Sequence, residues 1–424
     1  MRIVHVSESD TLGGAAKGAY NLHHGLLNIG AASTMIVGRQ QRREPQISST
    51  LGKQSSYLST ARHALDQLPF LLNNPSRLRR KLNPNFSSGI LPKQVLKKIS
   101  DAKPDVVVLH WINRGFFPFW LLPKMPWPTI IFARDSWWFT GGCHVPGACT
   151  KFITACGACP LLDSSFRYDA TYWLHKWKKS IAAQKSPAPR HVFVLSNWMG
   201  GLAKKSMWGK AGMPVHVFGN AIDTTIFKPL DQGVMRALWN LPLDKKIIAF
   251  SALEFEQDAN KGADLLKAAL AALPSHDNIA LLLLGGAPSP AWREQFSFPI
   301  YGLGKLQEET TLAAAYNAAD VVVVPSRYEA YCKSAAEALA CGVPVVSFDA
   351  SGTTDLVRHM DNGYLAKAFD SADFSAGIQT MINLTAEQRK AVALSSRKGA
   401  VKQADAKIQA QAFLDYCAAQ GWGS

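Results

Sequence analysis

Short runs of aliphatic and β-branched residues punctuate this chain, separated by longer segments whose apolar positions recur at helical spacing. In the first half, Arg2–Val6, Ser33–Val37, Pro104–His110, Thr129–Ala133 and His191–Leu195 read as strands. Lys246–Ser251, Ala280–Leu284, Val321–Val324 and Val343–Phe348 do so in the second. Ala15–Leu27, Ala263–Ala272, Thr310–Ala319 and Cys332–Ala340 read as intervening helices, and Ala404–Ala418 as a last helical run. Strands apolar on both faces, alternating with helices, are the signature of parallel sheets in an α/β fold. A chain of 424 residues is long for one core, so two domains are expected, with a transition near the turn Gly219–Asp223.

The stretch from Asp320 to Asp355 carries the densest chemistry. A buried strand ends at Pro325–Ser326, Glu329 falls in the following loop, and Tyr331, Cys332, Lys333 and Ser334 lie where the next helix begins. Glu337 sits near that helix's second turn. Carboxyl ends of parallel strands are the usual ligand crevices, and a helix start offers free amides to an anion. Two separated acids can accept hydroxyl hydrogens at two points of an extended ligand, so an anionic, hydroxyl-rich molecule such as a nucleotide-sugar suits this frame. Lys261, after an earlier strand, is placed to meet a diphosphate. Gly13–Gly14, entering the first helix, can receive phosphate or simply turn the chain. The structural alternatives are a solvated Glu329, a Glu337 neutralised by a nearby base, and a surface lysine at 261.

Composition adds a basic balance, 46 Lys and Arg against 31 Asp and Glu, net +15. That charge is compatible with nucleic acid, anionic lipid or a polyanionic substrate and selects none of them. Tyr57–Leu72 reads as an amphipathic helix, and with Arg77, Arg79, Arg80 and Lys81 it would suit a membrane surface or a polyanion. No long uncharged apolar stretch and no N-terminal signal pattern stand out, so the expected location is cytoplasmic, including the inner face of the membrane. His110, Arg134, Asp135, Trp137 and Trp138 follow successive strands and are candidates for an acceptor pocket; the tryptophans serve equally as core. Cys143, Cys149, Cys156 and Cys159 are spaced C-x5-C, six residues, C-x2-C. Four such thiols can enclose a structural zinc, form two disulfides, or hold an iron–sulfur cluster, and His144 is a further candidate ligand.

Taken together, ESDTLGGAAKGAYNLHHGL, RDSWWFTGGCHVPGACTKFITACGACPLL, KGADLL and PSRYEAYCKSAAEALACGVPVVSFDASG, in this order, resemble a GT-B glycosyltransferase of the retaining family four class. The resemblance is closest to its bacterial exopolysaccharide or lipopolysaccharide branch. Glu329 and Glu337 stand in the family's E-x7-E pattern. The resemblance implies two Rossmann-like domains facing across a cleft: 1–215, with the basic and four-cysteine insertions, on the acceptor side, and 216–395 binding the donor. Residues 396–424 would cross back to the first domain. It implies sugar transfer from a nucleoside-diphosphate sugar to a glycan or lipid-linked glycan hydroxyl, with no catalytic metal required. Glu337 would hold the ribose hydroxyls, Glu329 the donor sugar and Lys261 the phosphate, while Asp135 would orient or deprotonate the acceptor. Backbone amides near Tyr331–Ser334, with Gly13 and Gly14, would surround the diphosphate. Two positions depart from the pattern: Ala252 stands near the expected arginine, with Lys333 available to compensate, and Arg134 replaces a histidine. A noncatalytic sugar-binding scaffold is the alternative. Nucleic-acid binding has no recognised module behind it, and the sequence gives no oligomeric state.

Overall fold

The computed structural model describes residues 1–50, 55–72, 85–91, 95–253, 255–275, 277–286 and 288–423, with the helical backbone alone at 55–59. Arg77, Arg79, Arg80 and Lys81 therefore lie outside the described residues. The chain divides into two compact units, Met1–Ala221 with Ala406–Ser424, and Ile222–Asp405. The sequence had placed the corresponding boundaries after residues 215 and 395.

The first unit is built on a parallel sheet with seven strands among the described residues: β1 (Arg2–Ser9), β2 (Ala32–Arg39), β3 (Ile47–Ser49), β4 (Val106–Leu109), β5 (Thr129–Ala133), β6 (Arg190–Val194) and β7 (Val215–Val217). Their spatial order is β3-β2-β1-β4-β5-β6-β7. The second unit has six, again parallel: β8 (Lys246–Ser251), β9 (Ile279–Leu284), β10 (Ile300–Gly302), β11 (Val321–Val324), β12 (Val345–Phe348) and β13 (Gly363–Ala366). They run in the order β10-β9-β8-β11-β12-β13. Each sheet thus reverses its winding beside its first strand, between β1 and β4 and between β8 and β11. Loops leaving the carboxyl ends there diverge to opposite faces and open a crevice, the usual ligand position in a doubly wound sheet.

The central strands form because both faces are covered. All of Val106–Leu109 and Val321–Val324 is buried, and β-branched side chains suit that setting. Unpredicted strands β3, β7, β10 and β13 are short, three or four residues, and take their place from the neighbour they pair with. In the second unit the base of β11 is fixed by Asp320, whose carboxylate accepts from Arg236 Nη2 at 2.7 Å, Arg389 Nη1 at 2.9 Å and the Ile247 amide at 2.7 Å. In the first, the helix Ala406–Ala419 closes on Gly13–Asn28: a Cβ on Gly25 would stand 2.4 Å from the Ala406 carbonyl oxygen. Only glycine lets the two backbones approach so closely. Ser55–Leu72 includes the expected amphipathic helix, and Asp66 docks it by accepting from Ser88 Oγ at 2.7 Å and the Gly89 amide at 2.8 Å.

Candidate active site

In the second unit, the loops after β8 and β11 flank the winding reversal and are knitted together. Asn260 Nδ2 donates to the Tyr328 carbonyl at 2.8 Å, the Tyr328 amide donates back to Asn260 Oδ1 at 3.1 Å, and Arg327 grips Asp264 at 2.6 and 3.0 Å. Gly262, at φ +67°, begins the helix Ala263–Ala271, and a Cβ there would lie 2.0 Å from the Pro325 carbonyl oxygen. This crossing brings Lys261 Nζ to 2.8 Å from Glu329 Oε1, both side chains partly exposed. The Glu329 charge raises the Lys261 pKa above its ordinary value, against the effect of burial, so the ammonium is held charged. Glu329 is fixed from behind, its amide donating to Ser351 Oγ at 3.0 Å and its carbonyl accepting from the Gly352 amide at 2.8 Å.

Cys332, in the left-handed region at φ +71°, turns the chain into the helix Lys333–Ala340. Lys333 and Glu337, one turn apart, pair directly, and Lys333 Nζ also reaches Glu309 Oε1 at 3.3 Å. Burial opposes the Lys333 charge, but Glu337 and Glu309 more than offset it and its pKa is raised. The other Glu337 oxygen accepts from Tyr316 Oη at 3.2 Å, and Tyr316 lies 3.3 Å from Ser251 Oγ at the end of β8. Burial, then Glu337, pushes the Tyr316 phenol well up, so it stays a donor. The crevice thus holds two lysine–glutamate pairs: one open to solvent, Lys261–Glu329, and one nearly enclosed, Lys333–Glu337.

The first unit carries a separate polar cluster after β4 and β5. Asp135 caps the turn Ser136–Phe139 by accepting from the Trp137 amide at 2.8 Å. Its second oxygen receives Trp111 Nε1 at 2.8 Å and lies 2.7 Å from His144 Nδ1. Burial would raise this carboxyl, but His144 and the donors outweigh it and hold the pKa below the usual range. His144 Nε2 lies 3.2 Å from Ser87 Oγ, an Asp–His–Ser chain in outline. Ser87 is 1% exposed, however, so no substrate reaches that hydroxyl. Beside this cluster, Arg134 is buried over the Phe132 ring and donates to His110 Nδ1 and to Asn220 Oδ1 at 2.7 Å. An acceptor Nδ1 puts the His110 proton on Nε2, from which it donates to His5 Nδ1 at 2.8 Å. Burial lowers the Arg134 pKa to about 9 and that of His110 well below 6.5.

Residues 235–398, most of the second unit, match the family described as glycosyl transferases group 1. Over these residues unit two is similar to the glycosyl transferases group 1 family. The chain is 28% identical over 199 residues to D-inositol 3-phosphate glycosyltransferase of Mycobacterium tuberculosis, a match covering 43% of this chain and only 39% of that relative. Over the whole chain the fold resembles sucrose-phosphate synthase from Thermosynechococcus elongatus, with TM-score 0.67, 18% identity and 99% of each chain covered. It also resembles Anabaena HepE in complex with UDP and glucose, with TM-score 0.63, 15% identity and 99% of each chain covered. The two Rossmann-like units are those of the GT-B fold, and the chain is related to GT-B glycosyltransferases of the retaining family four class.

Within the matched residues of the second unit lie Lys261, Glu329, Tyr331, Cys332, Lys333, Ser334 and Glu337, while Gly13, Gly14, His110, Arg134, Asp135 and Trp137 belong to the other unit. The structure encloses three of the acceptor-side candidates. Trp137 is fully buried with its indole N–H on the Ser87 carbonyl at 2.6 Å, His110 is 1% exposed, and Arg134 is enclosed with its guanidinium on His110 and Asn220. All three are packing or positioning groups; Asp135 and the partly buried Trp111 are what the cluster presents. Lys333 is likewise no free compensating cation, because two carboxylates hold it. His144 points its nitrogens at Asp135 and Ser87, not into the cysteine cluster. Cys143, Cys149, Cys156 and Cys159 line one small cavity, although among the described residues no three His, Cys, Asp or Glu side chains already form a metal-ligand set. Sequence reasoning missed Glu309, Tyr316 and Ser251 around Glu337 and Trp111 around Asp135. The Lys333–Glu337 spacing was the one available signal.

Proposed function

We propose that the chain is a retaining hexosyltransferase, moving a sugar from a nucleoside-diphosphate sugar to a hydroxyl of a glycan or lipid-linked glycan in building a bacterial surface polysaccharide. The observation that carries this is the Lys261–Glu329 pair, 2.8 Å apart, at the winding reversal of the unit that matches the glycosyl transferases group 1 family. An ammonium held charged at that point meets the diphosphate, and its effect grows as the leaving group gathers negative charge. Glu329 is assigned the hydroxyls of the donor sugar. Glu337, with one oxygen on Lys333 and the other on Tyr316, keeps lone pairs for the ribose hydroxyls. Backbone amides from Tyr331 to Ser334 are assigned to the phosphates.

In the transfer, the bond from the anomeric carbon to the diphosphate oxygen breaks, and the acceptor oxygen bonds to the same face of that carbon. The acceptor proton leaves to the departing diphosphate. A depressed pKa makes Asp135 a weak base and a good hydrogen-bond acceptor, so its role is to orient the acceptor hydroxyl. No helix among the described residues is long and apolar enough to cross a membrane. We place the enzyme in the cytoplasm at the inner membrane face, where exposed Phe166, Trp173 and Trp177, beside Arg167, Lys176 and Lys179, would meet anionic lipid. Incubation with a panel of sugar nucleotides and lipid-linked acceptors, followed by NMR of the new linkage, tests the reading. Retention of anomeric configuration, abolished by Glu329→Ala, is expected; inversion would rule the mechanism out, and donor binding without product would favour the scaffold alternative.

A further inference from the structure

Between Thr140 and Asp169 the first unit carries a long segment with little regular structure beyond the short turns Lys151–Ile153 and Pro160–Leu162. Segments of this length seldom hold one shape without a lid function or a staple. This one is nevertheless tightly built. Gly142 and Gly157 sit at φ +129° and +125°, and a Cβ on Gly141 would stand 2.2 Å from the Thr171 carbonyl oxygen and 2.9 Å from Cys156 Cβ. One cavity of about 20 Å3 lies within the segment, and Cys143, Cys149, Cys156 and Cys159 all line it.

Three features of that cavity are those of a thiolate-metal centre. First, a backbone amide is aimed at a sulfur: Gly141 N–H donates to Cys156 Sγ at 3.2 Å. An amide turned onto a cysteine sulfur favours negative charge there. Second, the ammonium of Lys178 is fully buried over the Trp137 ring, bonded to the Trp137 and Thr140 carbonyls at 2.6 and 3.2 Å, with no ion pair among the described residues. Four thiolates around a divalent ion carry net charge −2 and supply the counter-charge it lacks. Third, all four cysteines line the same cavity, which has room for an ion between them.

We propose that Cys143, Cys149, Cys156 and Cys159 bind one zinc ion that staples this segment. The side chains do not already stand as a closed ligand set, so binding draws the sulfurs inward from the turns that carry them. Four S–H bonds release their protons to solvent as four Zn–S bonds form, which makes affinity fall with acidification. The centre is closed, with no position for substrate. Its effect on the reaction is through Cys143, whose neighbour His144 holds Asp135 at 2.7 Å.

The test is the metal content of the purified full-length chain by plasma mass spectrometry, with differential alkylation of its thiols under non-reducing conditions. About one zinc per chain is expected, reduced at least tenfold in Cys156→Ser/Cys159→Ser and unchanged in Cys332→Ser. Should the double variant fail to fold, the wild-type chain decides alone. A mercurial should then release the zinc stoichiometrically to a chromogenic chelator, and cobalt(II) in its place should give the intense visible bands of tetrahedral thiolate coordination. A metal-free chain with four alkylatable thiols, two disulfides among these cysteines, or iron in place of zinc would each overturn the proposal.

Discussion

Replacing Lys333 by Met tests whether the enclosed pair of the second unit's crevice is as tightly coupled as its geometry indicates. Lys333 is 14% exposed and Glu337 4%, and removing the ammonium leaves Glu337 with Tyr316 as its remaining hydrogen-bond donor. Glu309, 17% exposed, can turn to water, so most of the effect falls on Glu337. Breaking one side of a buried ion pair costs about 3 to 5 kcal/mol. In the wild type, the raised Lys333 pKa means that the pair's contribution is complete below the ordinary lysine value of about 10.4 and is lost as pH rises through the folded value. In the variant, a buried carboxylate without its ammonium is stabilised by protonation. The penalty should therefore be full at pH 8 and shrink toward about 4.3, the ordinary glutamate value. Urea midpoints at the two pH values measure it, and Lys333→Met/Glu337→Gln should recover most of the loss. A single variant within about 1 kcal/mol of wild type at pH 8 would refute the coupling, since exposed pairs contribute no more than that.

Gly262→Ala should impair donor binding more than tenfold and lower stability, because φ +67° and the 2.0 Å approach to Pro325 force the loop carrying Lys261 to move; calorimetric titration with the donor reads the first effect and thermal unfolding the second. Gly13 and Gly14 should behave differently although neither position has an atom within 4 Å of a new Cβ. Alanine at 13, where φ is +83°, should cost about 1 to 2 kcal/mol, while alanine at 14 should be neutral or stabilising in thermal unfolding. Asp135→Asn should lower kcat at least tenfold with little change in donor affinity, as the proposed acceptor-orienting role requires.

The central strands of both sheets were legible because complete burial demands unbroken aliphatic runs, as in Val321–Val324. Edge strands such as Ile47–Ser49 were not, since three residues carry no period and pairing alone makes them strands. The same division runs through the site. Lys333 and Glu337 could be paired from their spacing on one helix. Lys261 and Glu329 are 68 residues apart and meet only because β8 and β11 are sheet neighbours. Tyr316 and Glu309 reach Glu337 and Lys333 from the helix Glu309–Asn317, which packs against Lys333–Ala340. Trp137 shows the limit most clearly: an aromatic after a strand fits a pocket or a core equally well, and only its full burial and its bond to Ser87 decide.

The most direct measurement is equilibrium binding of a panel of UDP-, GDP- and other nucleoside-diphosphate sugars to the folded wild-type chain and to Lys261→Ala, read by calorimetric titration. One selectively bound sugar nucleotide, with affinity reduced at least tenfold by Lys261→Ala while the variant keeps its fold, is the predicted result. Binding left unchanged by loss of Lys261, or no binding across the panel by the folded wild-type chain, would contradict a donor site built on the Lys261–Glu329 pair.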